Sequence, residues 1–242
     1  MVETTTTKIN PLADFKVGVD NVIFSVDSEN NRLLSLLVKR KEEPFLNNWS
    51  LPGTLVRQGE SLEDAAHRIL AEKITANNLY LEQLYTFGGP NRDPRESPDS
   101  FNVRYLSVSY FALVRFEDAR LIRNNSYNTC WFQFKELPSL AFDHQKILDY
   151  GYRRLRSKLE YSPIVFDVLP PEFTLNDLYQ FYSTILGDNF ADYSNFRAKL
   201  LKLGFLYDTG IKVVKNAGRP ATLYKFNQCA FAPLKDKPLL FV

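Results

Sequence analysis

The sequence predicts a mixed α/β chain built as two units, and three observations carry that reading. Strand-like segments, Val17–Val26, Leu33–Arg40, Leu79–Phe87, Val103–Arg115 and Cys130–Phe134, alternate with helical ones before residue 161. A break follows at Ser162–Pro163, where a short apolar run, Ile164–Leu169, leads into Pro170–Pro171. The charge then turns lopsided. Residues 1–160 carry 21 basic and 21 acidic side chains, and 161–192 carry five acidic and no basic ones. Residues 193–225 carry seven basic residues against Asp208 alone, a local cationic patch in a chain whose net charge is only +2.

Each element has a local reason. The first two strands are joined by the polar turn DSENN. A helix is expected from about Ser61 to Lys73, opened by Ser61 and Asp64 as an S-x-x-D capping pair. Its core side is Leu62, Ala65, Ala66, Ile69 and Leu70. The loop GGPNRDPRESPDS separates the third and fourth strands, and a basic helix is expected from about His144 to Tyr161. Past the break, Thr174-Leu175-Asn176-Asp177 opens a helix reaching Leu186, with Leu175, Leu178, Tyr179, Tyr182 and Ile185 on one face and Gly187 at its end. A second helix starts at Asp192 or Tyr193 and stops at Gly204, a residue type suited to the left-handed turn after a helix. Phe205–Asp208, a strand Ile211–Lys215, a turn Asn216–Pro220 and a strand Thr222–Asn227 follow. Helix, turn, helix and hairpin is the order of a winged helix-turn-helix domain.

Composition narrows the chemistry. Two cysteines far apart, Cys130 and Cys229, and two histidines, His67 and His144, leave little material for a zinc site or histidine-based catalysis. No stretch approaches 18 consecutive apolar residues and the first residues show no cleavage-type pattern, so a cytoplasmic protein without membrane attachment is expected.

Residues 53–75, GTLVRQGESLEDAAHRILAEKIT, preceded by Trp49 and the run Leu51-Pro52-Gly53, resemble the Nudix box, which reads G-x5-E-x7-R-E-U-x-E-E-x-G-U. Laid on this chain the box matches at Glu60, Arg68 and Glu72. It departs at Thr54 and Thr75, where glycines are expected, and at Ile69 and Lys73, where carboxylates are expected. Nudix hydrolysis uses Mg²⁺ or Mn²⁺, and such ions need several oxygen ligands. Ile69 supplies none, and Lys73, one turn along the same face, would repel a cation at an effective dielectric of about 20. The resemblance therefore implies an α/β/α Nudix-like sandwich whose catalytic set and metal site are lost: no catalytic residues, no metal and no cofactor, with Glu60, Arg68 and Glu72 as remnants.

In the second helix of the second unit, Phe196, Leu200 and Leu203 form the buried stripe. The opposite face presents Ser194, Asn195, Ala198 and Lys202, flanked by Arg197 and Lys199. Asn pairs with adenine edges, and Arg or Lys with guanine or phosphate. The second helix of such a unit is the one that enters the major groove. The hairpin adds Lys212, Lys215 and, in the turn N-A-G-R-P, Arg219.

The stretch Y-x-F-G-x-x-x-R-D-P from Tyr85 to Pro94, N-F-R-x-K from Asn195 to Lys199 and G-R-P-A-x-L-Y from Gly218 to Tyr224 are similar to the Nudix-related transcriptional regulators. That family has NrtR-type members responding to ADP-ribose and AraR-type members of Bacteroidetes responding to arabinose. The resemblance spans roughly residues 16–227 and implies a homodimer on double-stranded operator DNA with a small-molecule effector, either a sugar or an ADP-ribose-like nucleotide. It implies an effector site at Arg40, Trp49, Phe87, Arg92 and Asp93. Trp49 and Phe87 read equally well as core residues, and Arg92 with Asp93 as a pair that merely holds the loop. The expected organisation is a tail over 1–15, an effector-binding domain over 16–161 and a DNA-binding domain over 162–242. The alternatives are a hydrolase of nucleoside diphosphate derivatives such as ADP-ribose, and an RNA- or protein-binding adaptor.

Overall fold

A computed structural model describes residues 12–76, 78–96, 103–122, 128–187, 190–214, 219–235 and 237–239. Its organising element is the strand β1 (Asp14–Asp27), which pairs in parallel with β7 (Val103–Arg115) from Asp14↔Val103 to Val26↔Arg115. The other edge of β1 is shared. Gly18–Asp20 pairs with β4 (Gly53–Leu55), and Phe24–Asp27 pairs with β2 (Arg32–Lys39). At the fork, the Asn21 amide donates to the Ala66 carbonyl at 2.8 Å and its backbone N–H to the Pro52 carbonyl at 2.8 Å. β6 (Leu79–Phe87) continues the sheet beyond β7, while β3 (Trp49–Ser50) and β9 (Thr129–Gln133) flank β2. A two-stranded sheet, β5 (Ile74–Thr75) with β8 (Arg120–Leu121), lies apart.

The two faces of β1 bury alternate residues, as the pleat requires. Val19 and Ile23 pack beneath helix α1 (Leu62–Ala71), with Ala65, Ala66 and Ile69 against Val19 and Leu70 against Ile23. Val22, Phe24 and Val26 face helix α2 (His144–Leu159), which buries Ile147, Leu148, Leu155 and Leu159. At Gly151 the helix backbone lies close to β1: an added Cβ would meet Val22 Cγ1 at 3.0 Å. Helices on both faces of one mixed sheet make an α/β/α sandwich.

A short helix, α3 (Ile164–Val168), leads to β10 (Phe173–Thr174) and helix α4 (Leu175–Leu186). Thr174 and Asp177 form a reciprocal capping box at the start of α4, and Gly187 ends it at φ +80°. Helix α5 (Tyr193–Lys202) is capped by Asp192, whose carboxylate accepts from the Asn195 N–H. β11 (Leu206–Val213) and β12 (Ala221–Phe226) complete a three-stranded sheet with β10, so the unit is a winged helix-turn-helix. β11 starts at Leu206, five residues before the strand expected at Ile211. Gly210 at φ +74° and a register shift between Asp208 and Lys212 break the alternation that would have announced it.

One apolar cluster runs through both units, from Val22 and Phe24 through Leu155 and Leu159 to Leu178, Ile185 and Phe205. A shared core predicts one cooperative unfolding transition for the whole chain, and Leu178→Ala should lower its stability by about 2–5 kcal/mol. Calorimetry checks both, and two separable transitions in the wild type would contradict the shared core.

Acid should also loosen the fold through His144. Its ring is buried, and Nδ1 accepts the Leu51 N–H at 2.9 Å, so the neutral ring carries its proton on Nε2. Burial, then the charges of Arg92 and Arg40, lower its pKa, opposed by Asp20 and Asp143. A lowered folded pKa means stability is complete above about pH 6.5 and declines as pH falls towards the folded value, by up to about 1.4 kcal/mol per pH unit. Chemical denaturation at pH 7 and 5 should show this slope in the wild type, and His144→Gln should flatten it.

Candidate effector cleft and nucleic-acid interface

The box remnants form an ion-pair network. Arg68 grips Glu60 with two nitrogens, Nε to Oε1 at 2.6 Å and Nη2 to Oε2 at 2.9 Å, and the Arg57 N–H donates to Oε2 at 2.9 Å. The Arg68 bonds first, and the Arg57 amide next, hold the Glu60 carboxyl down at about 2. Glu72 lies 3.5 Å from Arg68 Nη1 and 3.9 Å from Lys73 Nζ. The helix is shorter than the spacing suggests. It ends at Ala71, so Lys73 leaves the face of Ile69 and turns to Glu72, while Ile69 is 2% exposed beneath the sheet. Magnesium and manganese want several free oxygens. Here two carboxylates are already held by cations, and no cluster of three potential ligands occurs among the described residues. The donor set does not fit the metal of a Nudix hydrolase.

A cleft of about 360 Å³ opens where β4 and β2 diverge from β1. Its floor is Asp20, which accepts from the Ser107 hydroxyl at 2.6 Å and lies 3.7 Å from His144 Nε2. Gly53 leaves room for the Asp20 carboxylate, since a Cβ there would meet Asp20 Oδ1 at 1.9 Å and displace it. Three guanidinium groups line the walls. Arg92 makes a two-pronged pair with Asp143 at 2.6 and 3.0 Å, and Arg95 pairs with Asp93 at 2.6 Å while lying 4.2 Å from the centre of the Tyr105 ring. Arg40 donates only to backbone carbonyls, Pro44 at 2.7 Å and Glu42 at 3.3 Å, and lies 4.7 Å from the Phe142 ring centre. Burial, then the Arg95 charge, draw the Arg40 pKa below the usual guanidinium value. Burial pushes Asp93 up, but the Arg95 side-chain and backbone hydrogen bonds outweigh it and hold the carboxyl low. The result is a polar cleft in which Arg40 has no carboxylate partner among the described residues, a setting that favours an anion.

Of the residues expected at the effector site, Arg40, Arg92 and Asp93 line this cleft. Trp49 and Phe87 do not. On β3 it is Ser50 that faces the cleft, so Trp49 packs edge-on against Phe132 at 4.8 Å. Phe87 is 6% exposed and sits against Tyr85 and Tyr150. Arg92 and Asp93 are not each other's partners either, since each has its own. The sequence reading missed Asp20, Arg95, Tyr105, Phe142 and His144. Arg95 stood two residues beyond a residue already singled out, whereas Phe142 turns into the cleft at φ +54°, which no local pattern announces.

On α5, Phe196 and Leu200 are fully buried and Leu203 partly so. Ser194, Asn195, Arg197, Ala198, Lys199 and Lys202 are all exposed. Lys212 is exposed on β11 and Arg219 is exposed just before β12, while Lys215 and most of the N-A-G-R-P turn lie outside the described residues. Lys225 is spoken for, pairing with Glu172 at 3.0 Å. Among the described residues no carboxylate pairs with Arg197, Lys199, Lys202 or Lys212, so this face keeps its charge for an external polyanion.

Residues 15–154 match the NUDIX domain family, and residues 161–242 match the AraR C-terminal winged HTH domain. Over 212 residues the chain is 35% identical to the ADPR responsive transcriptional repressor NtrR of Acinetobacter baylyi, covering 86% of this chain and 80% of that protein. It is 35% identical over 135 residues to an ADP-ribose pyrophosphatase of Methanocaldococcus jannaschii, covering 55% of this chain and 72% of that one. The structure of Shewanella oneidensis NrtR complexed with a 27mer DNA is similar across 92% of this chain and 98% of that chain, with 31% identity and a TM-score of 0.73. With a Nudix domain joined to an AraR-type winged helix and a repressor of the same build as a relative along most of its length, the chain belongs to the Nudix-related transcriptional regulators.

Proposed function

We propose that this chain represses transcription as a cytoplasmic homodimer bound to operator DNA, and that its Nudix domain senses an ADP-ribose-like nucleotide without hydrolysing it. The observation that carries the reading is the face of α5, where every basic side chain is exposed and unpaired among the described residues while Phe196 and Leu200 anchor the helix from behind. A two-fold dimer would present two such helices to half-sites at helical-turn spacing. We take residues 16–161 as the effector domain and 162–242 as the DNA-binding domain. Ser194, Asn195, Arg197, Lys199 and Lys202 would read or clamp the groove, and Lys212, Lys215 and Arg219 would hold the backbone from the wing.

The cleft supports a nucleotide over a sugar. A pyrophosphate gains charge-assisted bonds from Arg40, Arg92 and Arg95, whereas the hydroxyls of a neutral pentose gain only ordinary hydrogen bonds from the same groups. Asp93 then serves to aim Arg95. The response of the Acinetobacter relative to ADPR points the same way.

The likeness to the Methanocaldococcus pyrophosphatase favours a second reading, hydrolysis of the same ligand. Ile69 in the core and Lys73 against Glu72 oppose it. Phosphate-coupled assays with Mg²⁺ and with Mn²⁺ should find turnover of ADP-ribose far below about 1 s⁻¹, the lower end of ordinary enzyme rates. Turnover at or above that value would establish an enzyme.

Replacing two groove-facing residues should separate their roles. Asn195→Ala should cost about 1–3 kcal/mol on operator DNA and leave random duplex nearly unaffected, since a side-chain amide reads a base edge. Arg219→Ala should weaken both duplexes and flatten the salt dependence by about one unit of slope, as loss of a phosphate contact does. Titrations at several salt concentrations measure this, and wild-type operator binding by both variants would remove the winged helix from the interface.

A further inference from the structure

We propose that α2 couples the effector cleft to the recognition helix, with Tyr152 and Arg156 as the positioning residues that hold the end of α4. The inference rests on reading the arginine-lined cleft as the effector site. Sixteen residues long, α2 spans about 24 Å and has a different neighbour at each end. At its start, Asp143 holds Arg92 and His144 accepts the Leu51 N–H, so both of its first contacts belong to the cleft. Further along, the Tyr152 hydroxyl donates to the Ile185 carbonyl at 3.1 Å. Arg156 Nη1 donates to the Leu186 carbonyl at 3.0 Å and to the Tyr152 hydroxyl at 3.1 Å.

Ile185 and Leu186 are in the last turn of α4, where carbonyls lack partners within the helix and a cation is favoured. The clamp therefore fixes the position of the end of α4, seven residues before α5 begins. Two features remove slack from the lever. Gly151 lies hard against Val22, and the Tyr152 ring is fixed 4.4 Å from Phe134 on the sheet side. Between the two ends, Leu148 and Leu155 are wholly buried.

The Arg92–Asp143 pair is the input. Arg92 is 9% exposed, so an anion that engages it does so at the expense of Asp143, which immediately precedes the first residue of α2. Releasing that carboxylate alters the seat of the helix at the cleft. Because α2 is rigid and pinned at Gly151, the change is delivered to the carbonyls at the end of α4. Thr184, whose hydroxyl donates to Asn31 at 2.7 Å, ties the same turn of α4 to the β1–β2 turn.

The test is a double-mutant cycle on operator affinity, in the full chain and without effector, between Asp143→Asn at the cleft and Tyr152→Phe with Arg156→Gln at the clamp. Tyr152→Phe keeps the packed ring, and thermal melts verify that each variant folds. Coupling predicts that the combined variant departs from the product of the separate effects by about fivefold or more. Multiplicative effects would overturn it. A parallel arm adds ADP-ribose. The wild type should lose operator affinity, whereas the clamp variant should bind ADP-ribose as tightly by calorimetry yet change its operator affinity less than about twofold. A clamp variant that responds like the wild type also overturns the coupling. A wild type that binds no ADP-ribose overturns the effector reading instead, and the cycle still decides the coupling.

Discussion

One apolar core shared by two units is the constraint on which the rest of this structure depends. Val22 and Phe24 on β1, Leu155 on α2 and Leu178 on α4 belong to the same cluster, so neither unit can complete its interior without the other. In a two-domain regulator joined by a slack linker, the state of one site has no mechanical route to the other. Here the interior is close-packed, and such packing moves between discrete arrangements rather than yielding gradually. The winged helix borrows its support from the sheet that carries the cleft, so a change in the packing of one unit is felt by the other.

Against that core the residues kept from the Nudix box play a structural part. Arg68 ties Glu60 to Glu72 across α1, and Ile69 fills the space beneath Val19 and Val108. The box helix still does what the sandwich needs, closing one face of β1. The neighbouring cleft carries arginines resting beside aromatic rings and backed by carboxylates.

How much of this was legible in the sequence depends on range. The box, its capping serine and the order of strands were legible because each is written in a few neighbouring residues. The pairing of β1 with β7 and the orientation of Trp49 were not, since strand neighbours and sheet faces are decided by segments far apart. Arg92 shows the difference most plainly. Its neighbour Asp93 looked like its partner, while the carboxylate it holds, Asp143, is 51 residues away. The cleft residues that escaped, Asp20 on β1, Tyr105 on β7 and Phe142 with His144 at the start of α2, come from three separate segments brought together only by the fold. On α5 the outcome was better because a helix displays its two faces at a fixed period. Lys225 on β12 belongs to the same cationic stretch of sequence, but its charge is taken by Glu172, just before β10.

The claim that most needs a direct measurement is that the arginine cleft binds a nucleotide and leaves it intact. Titration calorimetry of ADP-ribose into the intact chain, in chelator so that no metal takes part, measures it, with arabinose titrated in parallel. The account predicts saturable binding of ADP-ribose, weakened at least tenfold by Arg40→Ala, a cost of about 1.4 kcal/mol or more, with the ligand recovered unhydrolysed and no binding of arabinose. Saturable binding of arabinose with none of ADP-ribose, or ADP-ribose binding indifferent to Arg40→Ala, would contradict it.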